Sequence, residues 1–123
     1  MNPEFIVVRQ VDGSEDPKMP TRKYSTDAGI DLFASHTVIV PSSGLPVKAH
    51  IGYSVEIPVG WMGLICARSG LSSKHGVIVC GDVIDAGYRG ELIVLLRAIA
   101  GTPCRIPKHN VVAQLVVLPC GLH

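Results

Sequence analysis

The chain has 123 residues, 47% of them hydrophobic and only 5% aromatic, with 11 Lys and Arg against 10 Asp and Glu. This length fits one domain, residues 1–123, small enough for oligomerisation to contribute to its stability. The near-neutral balance excludes the broad positive field by which nucleic acid or an anionic membrane is held. Apolar stretches are strand-sized and interrupted by Gly, Pro or charge, and no basic N-terminal region leads into an apolar core. The expectation is a soluble intracellular protein with no membrane partner.

Val- and Ile-rich segments follow one another at short spacing: Phe5 to Val8, Ile30 to Ala34, Val38 to Val40, Val47 to Ile57, Met62 to Cys66, Val77 to Val79, Leu92 to Ile99 and Val111 to Leu118. Gly, Pro and Ser bound them, which predicts an all-β sandwich or barrel. Asp12 to Ser25 carries Gly, Pro and several charges and reads as a connecting loop. In Asp27-Ala28-Gly29-Ile30-Asp31-Leu32, the carboxylate of Asp31 alternates with apolar residues, and Gly29 permits close approach of a neighbouring backbone. Asp31 is either a structural carboxylate holding loop amides or part of a site.

The one helix expected runs over Ser69 to Lys74, with Ser69 as its N-cap. Arg68-Ser69-Gly70 would then lie where a strand ends and a helix begins, with unpaired N–H groups, an unobstructed glycine and a guanidinium suited to phosphate. Arg-Ser-Gly also occurs in plain turns, so the segment that follows matters. There, two β-branched runs flank Cys80-Gly81 and predict a hairpin over Val77 to Tyr88, whose returning arm delivers Val83-Ile84-Asp85 and then Ala86-Gly87-Tyr88. Main-chain groups along such an arm can pair with a pyrimidine edge, a carboxylate there can hold or deprotonate a water, and a tyrosine can pack on a sugar. A capping carboxylate and a cross-strand tyrosine are the plainer alternatives.

Gln114 stands alone in the apolar run Val111 to Val117 and needs partners, within the fold or from a ligand. Cys66, Cys80, Cys104 and Cys120 form no Cys-x-x-Cys pair and read as buried thiols in a reducing compartment. His75 is expected at the surface, and His36, His50, His109 and His123 have no neighbours at metal-ligand spacing.

Four stretches taken in order, Asp-Ala-Gly-Ile-Asp-Leu, Ala-Arg-Ser-Gly-Leu-Ser-Ser-Lys-His-Gly, Asp-Val-Ile-Asp-Ala-Gly-Tyr-Arg-Gly-Glu-Leu and Val-Ala-Gln-Leu, resemble four of the five motifs of trimeric dUTPases. The resemblance extends over about residues 4 to 119. It implies a jelly-roll-like β-barrel assembled as a homotrimer, with active sites at subunit interfaces and Mg²⁺-dependent hydrolysis of dUTP to dUMP and pyrophosphate. It further implies that Asp85 activates the attacking water and that Tyr88 packs on deoxyribose. The main chain from Val79 through Asp82 to Ile84 would read uracil, while Arg68, Ser69 and Gly70 hold phosphates. Gln114 would assist at the α-phosphate, and Asp31 would contact metal-bound waters.

Three departures stand beside it. A Gly-rich fifth motif that closes over the nucleotide has no counterpart before Cys120-Gly121-Leu122-His123, so a tailless or truncated member is expected. His109-Asn110-Val111-Val112 replace the usual Gly-Asp-Arg-Ile, and Asp82 replaces a common glycine. The alternative to an enzyme is a dUTPase-derived interaction or regulatory protein. The related dCTP deaminases would need a catalytic glutamate and a different serine-arginine pattern. Cytoplasmic, nuclear and viral settings all fit.

Overall fold

The structure, a computed structural model, describes residues 6–121. Phe5, Leu122 and His123 lie outside them, so the first segment is followed only from its later part.

Two sheets face one another around a common core. One has the order β2(Gly29–Phe33), β11(Val111–Pro119), β6(Trp61–Cys66) and β8(Asp82–Ile84). The other has the order β4(Val47–His50), β9(Ile93–Ala98) and β7(Val77–Val79). Two-stranded ribbons complete the barrel: β1(Val7–Gln10) with β5(Tyr53–Glu56), and β3(Val38–Val40) with β10(Cys104–Ile106). All these pairings are antiparallel. This is the all-β, jelly-roll-like architecture expected, with one helix among the described residues, α1(Ser69–His75), between β6 and β7.

Alternation builds the core. Val94, Leu96 and Ala98 of β9 point inward between exposed Leu95 and Arg97, and meet Leu32, Ile65 and Leu115 from the facing sheet. Leu32, Leu96 and Leu115 are fully buried. Each such side chain contributes about 1.5–3 kcal/mol of burial free energy, which is why a chain with few aromatics can hold together.

Three elements differ from expectation. The run Val47 to Ile57 is two strands, because Gly52 at φ 80° breaks the pleat and β4 and β5 pair with different partners. The short β10 has only three residues, two of them buried, and gives little signal in sequence. Most consequential, Val77 to Tyr88 is not a closed hairpin. Its arms separate at Cys80-Gly81, with β7 joining β9 and β8 joining β6. Each arm finds a longer strand to pair with, and Gly81 at φ 39° turns the chain between the sheets.

Candidate active site

Asp31, Arg68 and Gln114 converge at one end of the larger sheet. Gln114 on the central strand β11 lies opposite Asp31 of β2 on one side and Cys66 of β6 on the other, and residues directly opposite share a face. The polar edge left on that face is closed internally. Gln114 Nε2 donates to the Ala67 carbonyl at 3.0 Å, and Arg68 Nη1 stands 3.3 Å from Asp31 Oδ1. Asp31 is 9% exposed, and its main chain exchanges both hydrogen bonds with Thr21. The loop from Asp12 to Ser25 thus supplies a bridge that covers the carboxylate. Gly29 serves Gln114, since a Cβ at residue 29 would run into the amide oxygen and come 3.0 Å from its Cβ and Cδ.

Arg68 is the N-cap of α1, in extended conformation and without a side-chain cap bond, and Ser69 is the first helical residue rather than the cap. The Ser72 hydroxyl donates to the Arg68 carbonyl at 3.4 Å, which leaves the first N–H groups of the helix without a side-chain acceptor. Around this start lies an open cleft of about 370 Å³ lined by Arg68, Ser69, Gly70, Lys74, His75 and Asn110, among others. Its charged lining is cationic, as an anion requires. A Cβ on Gly70 would meet nothing within 4 Å beyond its own stretch of helix, so no other element crowds its main chain.

Asp85 and Tyr88 belong to a second cleft, of about 270 Å³ and largely apolar, where the arms of the 77–88 segment part. Asp82, Val83, Ile84, Asp85 and Tyr88 form one wall, with Lys48, Glu91, Ile93 and Leu95 on the other. Ile84 is buried and lies opposite Gly63, so its side chain belongs to the core and only its main chain is offered. Val79 is half-buried against the core and is not part of the lining. Asp82 and Asp85 are exposed, and the Tyr88 ring is 41% exposed while its hydroxyl donates to the Glu91 carbonyl at 2.7 Å. The main-chain N–H of Tyr88 closes the turn onto the Asp85 carbonyl at 3.0 Å.

One chain does not bring these two clefts together. On β8, Asp82 lies opposite Ile65 and Ile84 opposite Gly63, so Asp85 continues past Met62 while Arg68 continues past Cys66. Six residues along an extended strand separate them by ~20 Å. The expected substrate residues therefore form two groups: Arg68, Ser69, Gly70 and Gln114 at one end, and Asp82, Ile84, Asp85 and Tyr88 at the other.

The four cysteines are free, but only Cys104 is buried; Cys66 at the end of β6, Cys80 between β7 and β8 and Cys120 just past β11 are half-buried. Sequence reasoning missed Lys48 and Glu91. Lys48 lies opposite Leu95 across β4 and β9, so only the fold brings it to the cleft. Two of the histidines set aside on spacing prove to be partnered, His50 with Glu91 and His109 with the Asp16 carbonyl, while His123 lies outside the described residues.

No three His, Cys, Asp or Glu side chains converge as a metal cage among the described residues. Asp31 beside a cationic cleft is a donor set of another kind, one carboxylate next to a place for phosphate. That suits Mg²⁺, which keeps most of its waters and takes its remaining ligands from one or two carboxylates and phosphate oxygens.

A jelly-roll-like barrel with an Arg-Ser-Gly cleft at one end of a strand and an Asp-Tyr cleft at the other defines a nucleotide-handling class of protein. The dUTPase family profile matches residues 15–123, and the chain belongs to the dUTPase family of hydrolases. It is 39% identical over 104 residues to the deoxyuridine 5'-triphosphate nucleotidohydrolase of Gloeobacter violaceus, spanning 82% of this chain and 71% of that protein. With the Debaryomyces hansenii protein of the same name it shares 39% identity over 85% of this chain and 64% of the relative. A variant dUTPase from S. aureus phage phi11, whose structure is described as coordinating a structural Mg(II) ion, superposes with a TM-score of 0.85 at 29% identity. That match covers 96% of this chain and 92% of the phage chain. No helix among the described residues is long and apolar enough to cross a membrane.

Proposed function

We propose that the domain spanning 1–123 hydrolyses dUTP to dUMP and pyrophosphate, as a homotrimer that uses Mg²⁺. The observation that carries this reading is the pair of complementary clefts: a cationic one at Arg68-Ser69-Gly70, and an apolar one closed by a carboxylate and a tyrosine. Their ~20 Å separation along β6 supports sites shared between copies, in which one subunit's Asp85 meets another subunit's Arg68.

In such a site the main chain around Asp82 to Ile84 pairs with the uracil edge, and Tyr88 lies against the deoxyribose. Arg68, Ser69 and Gly70 hold the phosphate chain, and Gln114 steadies the α-phosphate. Asp85 takes a proton from a water whose oxygen bonds to the α-phosphorus, while the bond to the bridging oxygen breaks and pyrophosphate leaves. Asp31 would hold waters of a bound Mg²⁺ ion, which supplies charge neutralisation across the phosphate oxygens. Such chemistry belongs to an intracellular setting where deoxynucleotides circulate.

The test is pyrophosphate release from dUTP with Mg²⁺, with dTTP, dCTP and UTP as controls. Release from dUTP far above the controls is the expected result. Absence of release together with absence of binding of a non-hydrolysable dUTP analogue would instead favour an interaction protein.

A further inference from the structure

We infer that His50 and Glu91 are positioning residues for the Tyr88 ring, and thereby set how strictly the cleft separates deoxyribose from ribose. The inference rests on the proposed role of the Tyr88 cleft.

Glu91 lies between the Tyr88 turn and β9, and all three of its polar groups relevant here are engaged. Its carboxylate accepts from the Gly52 N–H through Oε2 at 2.9 Å and from His50 Nδ1 through Oε1 at 2.9 Å. Its carbonyl accepts the Tyr88 hydroxyl at 2.7 Å. Two bonds from one carboxylate fix a side chain in rotation as well as place. The carbonyl that receives Tyr88 is thereby tied to the turn between β4 and β5.

That turn is itself held. The Ile51 N–H donates to the Leu92 carbonyl at 3.1 Å, and the Leu92 N–H to the Tyr53 carbonyl at 2.8 Å. His50 is braced in turn by His36, whose Nε2 accepts the His50 main-chain N–H at 3.1 Å while Nδ1 faces the Thr37 carbonyl at 3.1 Å. Both contacts are met together only by the neutral imidazole with its proton on Nδ1. The two rings stand 5.5 Å apart.

At the far end of this chain of contacts, the tyrosine has one place to lie. A Cβ on Gly90 would come 2.6 Å from the Tyr88 hydroxyl and 2.8 Å from Cζ, so the ring end rests on a glycine that leaves room for nothing else. An aromatic ring this exposed would ordinarily sample several rotamers. Here its hydroxyl is anchored, so its outer face meets a sugar at a fixed height, and a 2′-hydroxyl is excluded only as firmly as that height is held. Nothing in this contact chain touches the reacting phosphate.

The test compares His50→Leu, which keeps bulk and removes the donor, with His50→Asn, whose amide can restore a donor near the Nδ1 position. In full-length protein, the ratio of kcat/KM for dUTP over UTP is expected to fall about tenfold in His50→Leu, the order of one charge-assisted hydrogen bond. The kcat for dUTP should fall far less, and His50→Asn should recover most of the ratio. Carbon relaxation of the Tyr88 ring, assigned by difference against Tyr88→Phe, should report a more mobile ring in His50→Leu and wild-type rigidity in His50→Asn. Because this second measurement needs no turnover, it decides the positioning claim even if dUTP hydrolysis is not observed. An unchanged ring and an unchanged ratio in a folded His50→Leu protein would overturn the inference. A ratio lowered equally in both variants would assign His50 a purely structural role and would also overturn it.

Discussion

At the scale of single residues, the two clefts differ in character, one cationic and the other largely apolar. Asp85 is exposed at the edge of a largely apolar wall, where its removal leaves the lining nearly unchanged. Asp85→Asn should therefore lower dUTP turnover by about 10²–10⁴-fold, the range for loss of a general base, while analogue binding measured by calorimetry changes little. Gly29 presents the opposite case. Its hydrogen atom is all that fits beside Gln114, and Gly29→Ala must displace that amide from the Ala67 carbonyl. Overpacking of this kind costs about 1–3 kcal/mol, and a lower melting temperature together with weakened phosphate binding is the expected pair of results. The substitutions in the fourth motif act locally: Asn110 and Val111 line the cationic cleft without adding a carboxylate to it.

Among elements, β6 is the organiser, since it pairs with both β11 and β8 and leads directly into Arg68 and α1. Gly63 at its middle faces Ile57, Leu115 and Ile84 so closely that a Cβ would lie 2.8 to 3.1 Å from each. Gly63→Ala should lower the melting temperature by several degrees and, because Ile84 is among the displaced neighbours, disturb the Asp85 cleft too. Measurement of both effects in one variant checks the link.

Most of these strands are legible in the sequence because their Val and Ile runs end at Gly, Pro or Ser, as at Val38 to Val40 and Val111 to Leu118. The helix is legible to within one residue. The break between β4 and β5 is less so, since it depends on Glu91 capturing the Gly52 N–H from 39 positions away. The parting of the Cys80-Gly81 arms is hidden for a related reason: two β-branched runs around a glycine predict a hairpin locally, and only the longer partners β9 and β6 decide otherwise. Asp31, Arg68, Asp85 and Tyr88 are legible as chemistry, but their division between two ends of the fold is a property of register.

For the whole molecule, register has a direct consequence. Light scattering is expected to report three 13.1 kDa chains per particle at micromolar concentration, and a monomer there would remove the basis for a shared site. A sharper check mixes Asp85→Asn with Arg68→Ala after joint refolding. If each site takes its carboxylate and its guanidinium from different copies, two inactive proteins should together regain about a quarter of wild-type activity at equal mixing, as random assembly of symmetric subunits gives. Persistent inactivity in a mixture shown to contain hybrid trimers would mean that both groups act from one chain.

The separation of β7 from β8 reaches further than the site itself. The Asp85 cleft is a seam, with one lip belonging to each sheet and joined at the top by the stitch of Cys80-Gly81. The Cys80 N–H fastens that stitch to the Leu95 carbonyl at 2.9 Å. A base lodged in the seam would act as a rivet through both layers, drawing β8 toward β9 by bonds of its own. Amide exchange at Cys80 and along β9 should then slow on addition of a non-hydrolysable dUTP analogue, well beyond the residues it touches. In that sense the nucleotide would serve as a missing structural member of the barrel, and the protein's rigidity would report its cargo.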